Sequence, residues 1–402
     1  MVETGFAGGT ATAGSIANHA TASLAEADRL MTVCNSCRYC EGLCAVFPAM
    51  EMRRAFPDGD LNYLANLCHN CGACYHDCQF SPPHEFDVNV PKVLARVRND
   101  SYAQYVWPGA FAGVFARNGL FIALAAAVGV AAFVMGFAVW HDPATLFGTH
   151  TGPGAFYKLM PHNAMAGLFG AVSLYAVVAI SLGIRKFWRD IAAPSGTFSD
   201  WPSIWQAVKD SGRLRYLDGG GVGCMNDDET PTDPRRVYHH LTFYGFMLCF
   251  ASTSTATLYH YLLGMEAPYP WYDLPVLLGT AGGIGLLIGP VGLLAAKWRR
   301  EPDLTDETRL GMDVAFIAML FLTSLTGLLL LVLRATPAMG MLLAVHLGVV
   351  FALFLTMPYG KFVHGIYRAL ALVRYAHERR HETLSAQPVA VAATTGQGGQ
   401  RR

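Results

Sequence analysis

Cys34-Asn35-Ser36-Cys37-Arg38-Tyr39-Cys40-Glu41-Gly42-Leu43-Cys44 and Cys68-His69-Asn70-Cys71-Gly72-Ala73-Cys74-Tyr75-His76-Asp77-Cys78 carry one cysteine spacing twice. In each run three thiols recur after two intervening residues, and a fourth follows after three. Three closely spaced thiolates wrap one face of a cubane [4Fe–4S] cluster, and a fourth from elsewhere closes the cage. Two such runs point to two clusters. Zinc draws on paired Cys-x-x-Cys elements, which runs of four fit poorly. A disulfide scaffold belongs to small secreted domains.

In two-cluster ferredoxins the fourth cysteine of each run serves the other cluster. The expectation is therefore Cys34, Cys37, Cys40 and Cys78 for one cluster, and Cys68, Cys71, Cys74 and Cys44 for the second. The proline that usually follows the fourth cysteine is absent. Ala45 and Gln79 stand there, with Pro48 and Pro82 a little later. The segment between the runs is long, and Glu51-Met52-Arg53-Arg54 within it reads as helix.

Beyond the cysteines the chain changes character. Charged residues make up 14% of the sequence against 53% hydrophobic, below the quarter or so of charge usual in soluble domains. A bilayer takes about 20 apolar residues as helix. Six runs qualify: Gly119–Val139, Asn163–Ile184, His240–Leu263, Leu274–Ala296, Met312–Leu333 and Met341–Val363. The fold class expected is an α-helical integral membrane protein with six transmembrane helices behind an N-terminal ferredoxin-like domain holding two [4Fe–4S] clusters.

Cationic residues alternate in density along this pattern. They gather before the first span (Arg96, Arg98, Arg117) and between the second and third (Arg185, Lys186, Arg189, Lys209, Arg213, Arg215, Arg235, Arg236). They gather again between the fourth and fifth (Lys297, Arg299, Arg300) and after the sixth (Arg368, Arg374, Arg379, Arg380), whereas the other loops offer little beyond Lys158 and Arg334. The positive-inside rule then puts both termini and the cluster domain on the cytoplasmic side of the inner membrane.

The expected organisation is a disordered N-terminus over 1–29, a cluster domain over 30–100, a membrane domain over 101–375 and a cytoplasmic tail over 376–402. The start is rich in Ala, Gly and Thr and lacks an apolar signal core, so no secretory peptide is expected. A cytoplasmic loop at 187–238 contains Gly219-Gly220-Gly221-Val222-Gly223-Cys224, which matches neither a dinucleotide fingerprint nor a P-loop. It reads as a flexible turn before a close approach to a cofactor, with Cys224 a plain thiol.

Histidines in and beside the spans add a second kind of site. His239 and His260 on span three stand roughly 31 Å apart at the helical rise, and His346 and His364 on span six roughly 27 Å apart. Neither pair can grip one metal, yet each puts one histidine near each membrane surface. The antiparallel course sets His239/His240 against His364 on the inner side and His260 against His346 on the outer. That layout suits bis-histidine b-type haem, one or two per chain. At about 100° per residue, His239 lies roughly 60° from His260 and His240 roughly 160°, which favours His239 as the ligand. His346 lies deepest, where an ionisable side chain is functional by default. His162 and His240 are the spare candidates. Gly279, Gly283, Gly285 and Gly289 on span four have the small-residue spacing of closely packed membrane helices.

Four strings, Cys37-Arg38-Tyr39-Cys40-Glu41-Gly42-Leu43-Cys44, Ser81-Pro82-Pro83-His84-Glu85-Phe86, His239-His240-Leu241-Thr242-Phe243-Tyr244-Gly245-Phe246 and Ala267-Pro268-Tyr269, resemble the TcuB/CitB family of tricarballylate and citrate utilisation proteins. The resemblance runs from about Leu30 to Arg374. It implies two [4Fe–4S] clusters, haem b, and a partner: a cytoplasmic FAD-dependent tricarballylate dehydrogenase whose flavin is reoxidised toward the quinone pool. Nucleic acid is not among the expected partners. The histidine layout is also similar to the dihaem subunit of respiratory nitrate reductase. Two other functions compete: a quinone-linked module of heterodisulfide or nitrate reductase type, and a redox-sensing accessory of citrate or tricarballylate transport. Midmembrane carboxylates would favour transport, and Asp313 lies only at a span end. No dinucleotide fingerprint or Ser/His/Asp set is present, so substrate chemistry is expected on the partner.

Overall fold

The computed structural model describes residues 19–217, 219–221, 223–225, 231–306 and 310–385. Thr21 opens the first helix, α1 (Ala22–Cys37), by accepting the Leu24 N–H at 3.2 Å, and Arg38 closes it at φ 56°. Leu24, Ala27, Leu30 and Met31 fall on one face of α1 and are buried. That apolar face corrects the expected disorder from Ala22 to residue 29, because the segment has a core to join. Residues 1–18 lie outside the described residues.

The cysteine domain continues with α2 (Val46–Glu51), α3 (Asp58–Leu67), the short α4 (Ala73–His76) and α5 (Val90–Tyr105). The expected helix at residues 51–54 is placed a little earlier, as α2. Asn89 caps α5 by accepting the Lys92 N–H, and Pro91 occupies a first-turn position where no backbone donor is needed. Leu61, Leu64, Leu67 and Leu94 form the dry interior between these helices.

Six helical segments among the described residues are long and apolar enough to cross a membrane: Gly109–Trp140, His162–Asp190, Pro234–Leu263, Leu274–Trp298, Leu310–Leu333 and Met339–Tyr359. The first contains α6 (Asn118–Trp140), and the small α7 (Pro143–Leu146) follows it. Then come α8 (His162–Asp190), the loop helix α9 (Trp201–Arg213), α10 (Pro234–Leu263), α11 (Leu274–Trp298), α12 (Leu310–Leu333), α13 (Met339–Thr356) and α14 (Val363–Ser385). By length and composition this is a multi-pass membrane protein. Helices α10 and α11 press together along glycines. A Cβ on Gly282 would stand 2.7 Å from the Gly245 carbonyl, and one on Gly289 would stand 2.7 Å from the Thr242 nitrogen. Close backbone approach of this kind is what small-residue spacing permits.

One span departs from expectation. His346 and His364 do not share a helix: α13 ends at Thr356, a 3-10 turn covers Met357–Tyr359, and Gly360 is extended before α14 begins. Pro358 has no N–H to donate, which ends the helical ladder. The spacing of roughly 27 Å expected for one continuous helix therefore does not apply. The expected tail over 376–402 begins as helix, since 376–385 continue α14; 386–402 lie outside the described residues.

Helix α14 ties the two halves together. Glu378 pairs with Arg53 at 2.8 Å and Arg374 at 2.7 Å, while Asp60 meets Arg374 at 2.8 Å and Arg53 at 3.1 Å. Arg53 and Arg374 are buried, and Tyr63 lies beneath both guanidinium groups. A buried network of this sort stabilises only when every charge has its partner, and here two acids from separate elements answer two bases.

Candidate metal centres

The eight cysteines fall into two groups in space, and the groups cross the two runs. Cys34, Cys37, Cys40 and Cys78 border a cavity of about 250 Å³ whose walls include Phe47 and Phe80. Burial, with the neighbouring Cys40, Cys78 and Cys37, pushes the Cys34 thiol up to about 12. Burial, with Cys78 and Cys37, does the same to Cys40. Cys44 sits against Cys71 and Cys68, and burial raises it strongly. Cys74 faces Cys71, Cys44 and Cys68, and also borders the first cavity near Cys40. The fourth cysteine of each run thus lies with the other run's first three. Thiols crowded out of water at this density resist ionising by themselves, and bound iron supplies the missing positive charge. The residues fit such clusters.

The two groups differ in surroundings. Cys37 and Tyr39 are exposed beside the first. The second is less exposed, with Cys68 buried and Cys44, Cys71 and Cys74 half-buried. Its Cys68–Asn70 turn is gripped by arginines from four parts of the chain. Arg98 of α5 and Arg368 of α14 donate to the Cys68 carbonyl at 2.5 and 2.7 Å. Arg235 of α10 donates to the His69 and Asn70 carbonyls at 3.0 Å each, and Arg300, just past α11, also donates to Asn70. Burial first, then the neighbouring Arg98, lowers Arg368 to about 9. Burial, then Arg235, lowers Arg300 likewise. In the sequence these four arginines stand only as topology markers, because the carbonyls they grip come from a distant segment.

The glycine run also reaches the second group. A Cβ on Gly219 (φ +58°) would lie 2.7 Å from Ala73 Cβ and 3.3 Å from Cys71 Sγ, so glycine is required for the approach. Met225 donates its N–H to the Cys71 carbonyl at 2.9 Å. It lies on β1 (Cys224–Met225), which pairs antiparallel with β2 (Pro231–Thr232). Close approach, the lesser of the two expectations for this run, is what is found at Gly219; residues 218 and 222 lie outside the described residues. Cys224 is buried and donates to the Leu217 carbonyl at 3.3 Å.

At the inner level, meaning the helix ends nearest the cysteine domain, the structure brings His239 and His364 together, with ring centroids 6.2 Å apart and planes at 73°. Two imidazoles on opposite sides of one metal, with bonds of about 2.0 Å, hold their centroids roughly 6 Å apart. His364 Nδ1 faces the Lys361 carbonyl at 2.5 Å, leaving Nε2 available, the arrangement that fixes a ligating imidazole. His239 Nδ1 is buried without a hydrogen-bond partner. This pair fits a bis-histidine haem. His240 instead lies against Tyr244.

The outer level differs. His260 does not meet His346. It stacks on His162 at 3.6 Å and 19°, with Tyr157 at the edge of both rings. His346 Nδ1 lies 2.9 Å from Thr326 Oγ1 on α12, and Gly327 leaves room for its ring. Stacked rings at 3.6 Å leave no space for a metal between them. As arranged, the outer histidines do not fit a second bis-histidine haem. Level-matching alone suggested the His260–His346 pair; α13 packs against α6 and α12, and His346 turns to Thr326 of α12.

Residues 113–385 match the family model described as citrate utilization protein B, and residues 27–104 match that described as the citrate utilization protein B Fer4-like domain. The chain belongs to the citrate utilization protein B family. A relative named citrate utilization protein B, from Escherichia coli, is 50% identical over 362 residues, covering 89% of this chain and 93% of its own length. The Fer4-like match of the citrate utilization protein B family spans both cysteine runs. No solved structure matches the chain.

Proposed function

We propose that the chain serves citrate or tricarboxylate utilisation as a membrane electron-transfer protein. In this reading it reoxidises a cytoplasmic FAD-dependent dehydrogenase, of tricarballylate or a related acid, and delivers the electrons to the quinone pool. The family membership and the 50% identical relative support the metabolic setting. The observation that carries the electron path is the closeness of the two kinds of site: Arg235, one helical turn before His239, and Arg368, one helical turn after His364, both donate to backbone carbonyls of the Cys68–Asn70 turn.

Cys34, Cys37, Cys40 and Cys78 would hold one cluster, Cys44, Cys68, Cys71 and Cys74 the other, and His239 with His364 a b-type haem. Such groups, when bound, accept and release single electrons, which lets a two-electron flavin be joined to a two-electron quinone. The chain's own residues do the rest. Arg98, Arg235, Arg300 and Arg368 hold the second loop against α10 and α14 and place positive charge where added electrons would be stabilised. Tyr39 and Cys37 mark the exposed face at which a soluble flavoprotein would meet the first cysteine group. The arginine-rich side is taken as cytoplasmic, with both termini there.

The test is a reduced-minus-oxidised spectrum and anaerobic EPR of purified full-length protein before and after mixing with reduced flavoprotein and a quinone analogue. Cluster signals and b-haem bands that reduce with flavoprotein and reoxidise with quinone are expected. Bound zinc with no EPR signal on reduction would remove the relay.

A further inference from the structure

Away from the cysteines and the paired histidines, three side chains converge on the cytoplasmic face. His377 and His381 lie four residues apart on α14, hence on one helical face, and Asp200 ends the segment leading into α9. His377 Nδ1 is 3.2 Å from Asp200 Oδ2, and His381 Nε2 is 3.8 Å from the same oxygen. The three ligand atoms all lie within 4.8 Å of one another. The two imidazoles sit 4.1 Å apart at 50°.

Those separations have a chemical meaning. In a tetrahedral site with bonds of about 2.0–2.1 Å, ligand atoms stand roughly 3.3 Å from each other. Two imidazoles and one carboxylate select a borderline transition metal over calcium or magnesium, which take oxygen ligands. Surrounding groups prepare the carboxylate. Ser203 Oγ donates to Asp200 Oδ2, and Arg380 stands 3.7 Å from Oδ1. The serine bond, with His377 and Arg380, holds Asp200 below the usual carboxylate range. His377 is buried, which dries one side, while the His381 side chain is 56% exposed and leaves an approach for the ion.

We propose that Asp200, His377 and His381 form a binding site for a divalent transition metal of the zinc type, clamping the start of α9 to α14. A water would complete the fourth position. The clamp has a local consequence, because α9 and α14 are two walls of a cavity of about 620 Å³. Gln206 and Asp210 line it from α9, Tyr375 and Arg379 from α14, and Glu41 and Cys44 from the cysteine domain. Fixing α9 on α14 fixes the opening beside Cys44. The site is independent of the electron relay.

Purified full-length protein, stripped of loose metal with EDTA and retaining its iron and sulfide, is titrated with zinc against a chromophoric indicator and with cobalt by visible absorption. Wild type is expected to bind one further equivalent, with cobalt bands of tetrahedral intensity. H381A, at an exposed position that leaves the fold intact, should weaken that equivalent by about tenfold or more, and H377A/H381A should abolish it. Zinc should also slow proteolysis between α9 and α10 in wild type and not in H381A. If wild type and H381A, at equal iron and sulfide content, bind zinc alike, or wild type binds no further equivalent, the cluster is an ion pair of His377 with Asp200 and the proposal is wrong.

Discussion

The inner and outer ends of the membrane domain began with the same ingredients, histidines placed near each surface by helices running in opposite directions. At the inner end His239 and His364 face each other at 6.2 Å. At the outer end His260 stacks on His162, and His346 bonds to Thr326. What separates them is support. The inner pair is held against the cysteine domain, with Arg235 and Arg368 fastened to the cysteine loop and the Lys361 carbonyl orienting His364. Among the described residues the outer histidines instead meet a short loop, from which Tyr157 packs on His162 and His260. Depth along a helix is set by counting residues, but direction around it is set by whatever the helix packs against.

The sharpest way to break this comparison is to remove one histidine at a time. His364→Ala and His239→Ala should each abolish the inner haem, read as loss of one haem equivalent in a pyridine haemochrome assay, with the cluster EPR signals kept. His162→Ala and His260→Ala should retain it. If His346→Ala or His260→Ala removes the haem while His364→Ala keeps it, the roles of the two ends are reversed.

The hold on the cysteine domain can be loosened next. Glu378→Ala leaves Arg53 and Arg374 buried with one shared acid, a change of about 3–5 kcal/mol for a broken buried pair. Thermal unfolding followed by cluster absorbance should shift down strongly, and the inner haem should become labile. An unchanged midpoint would mean that α14 does not anchor the cysteine domain.

Glycine substitutions sharpen the contrast further. Gly289→Ala forces a Cβ against Thr242 and Tyr238, one turn from His239, where overpacking costs about 1–3 kcal/mol. Gly279→Ala meets only the Ser252 hydroxyl at 3.0 Å. The first should broaden or shift the haem spectrum and the second should leave it alone; equal effects would show that helix spacing at α10 does not position His239. The smallest change is Thr326→Val, which strips His346 of its partner for roughly 1 kcal/mol. Stability should fall slightly with the haem spectrum unaltered, and a lost haem here would place a metal ligand at His346 after all.

Much of this arrangement was legible in the sequence because its rules are one-dimensional. Cysteine spacing and span length need only counting, and the structure groups the cysteines across the two runs and holds six helices of spanning length among the described residues. The remainder depends on contacts between distant segments. Pro358 was visible, but whether it bends one helix or separates two is decided by Gly360 and the packing beyond it. Arg235 and Arg368 counted as surface charge because nothing local tells a lysine or arginine at a lipid headgroup from one folded over a carbonyl. His377 and His381 stand one helical turn apart in the sequence, yet Asp200, which meets His377, comes from 177 residues earlier.

Helix α14 carries His364, Arg368, Arg374, His377 and Glu378 in one unbroken stretch. A single residue inserted after His364 would turn everything beyond it by about 100°. The grip on the cysteine loop, the paired acids and bases, and the wall beside Cys44 would then be lost in one step while each residue remained present. Selection on this segment acts on phase as much as on identity, so substitutions along it can accumulate one by one where insertions and deletions cannot.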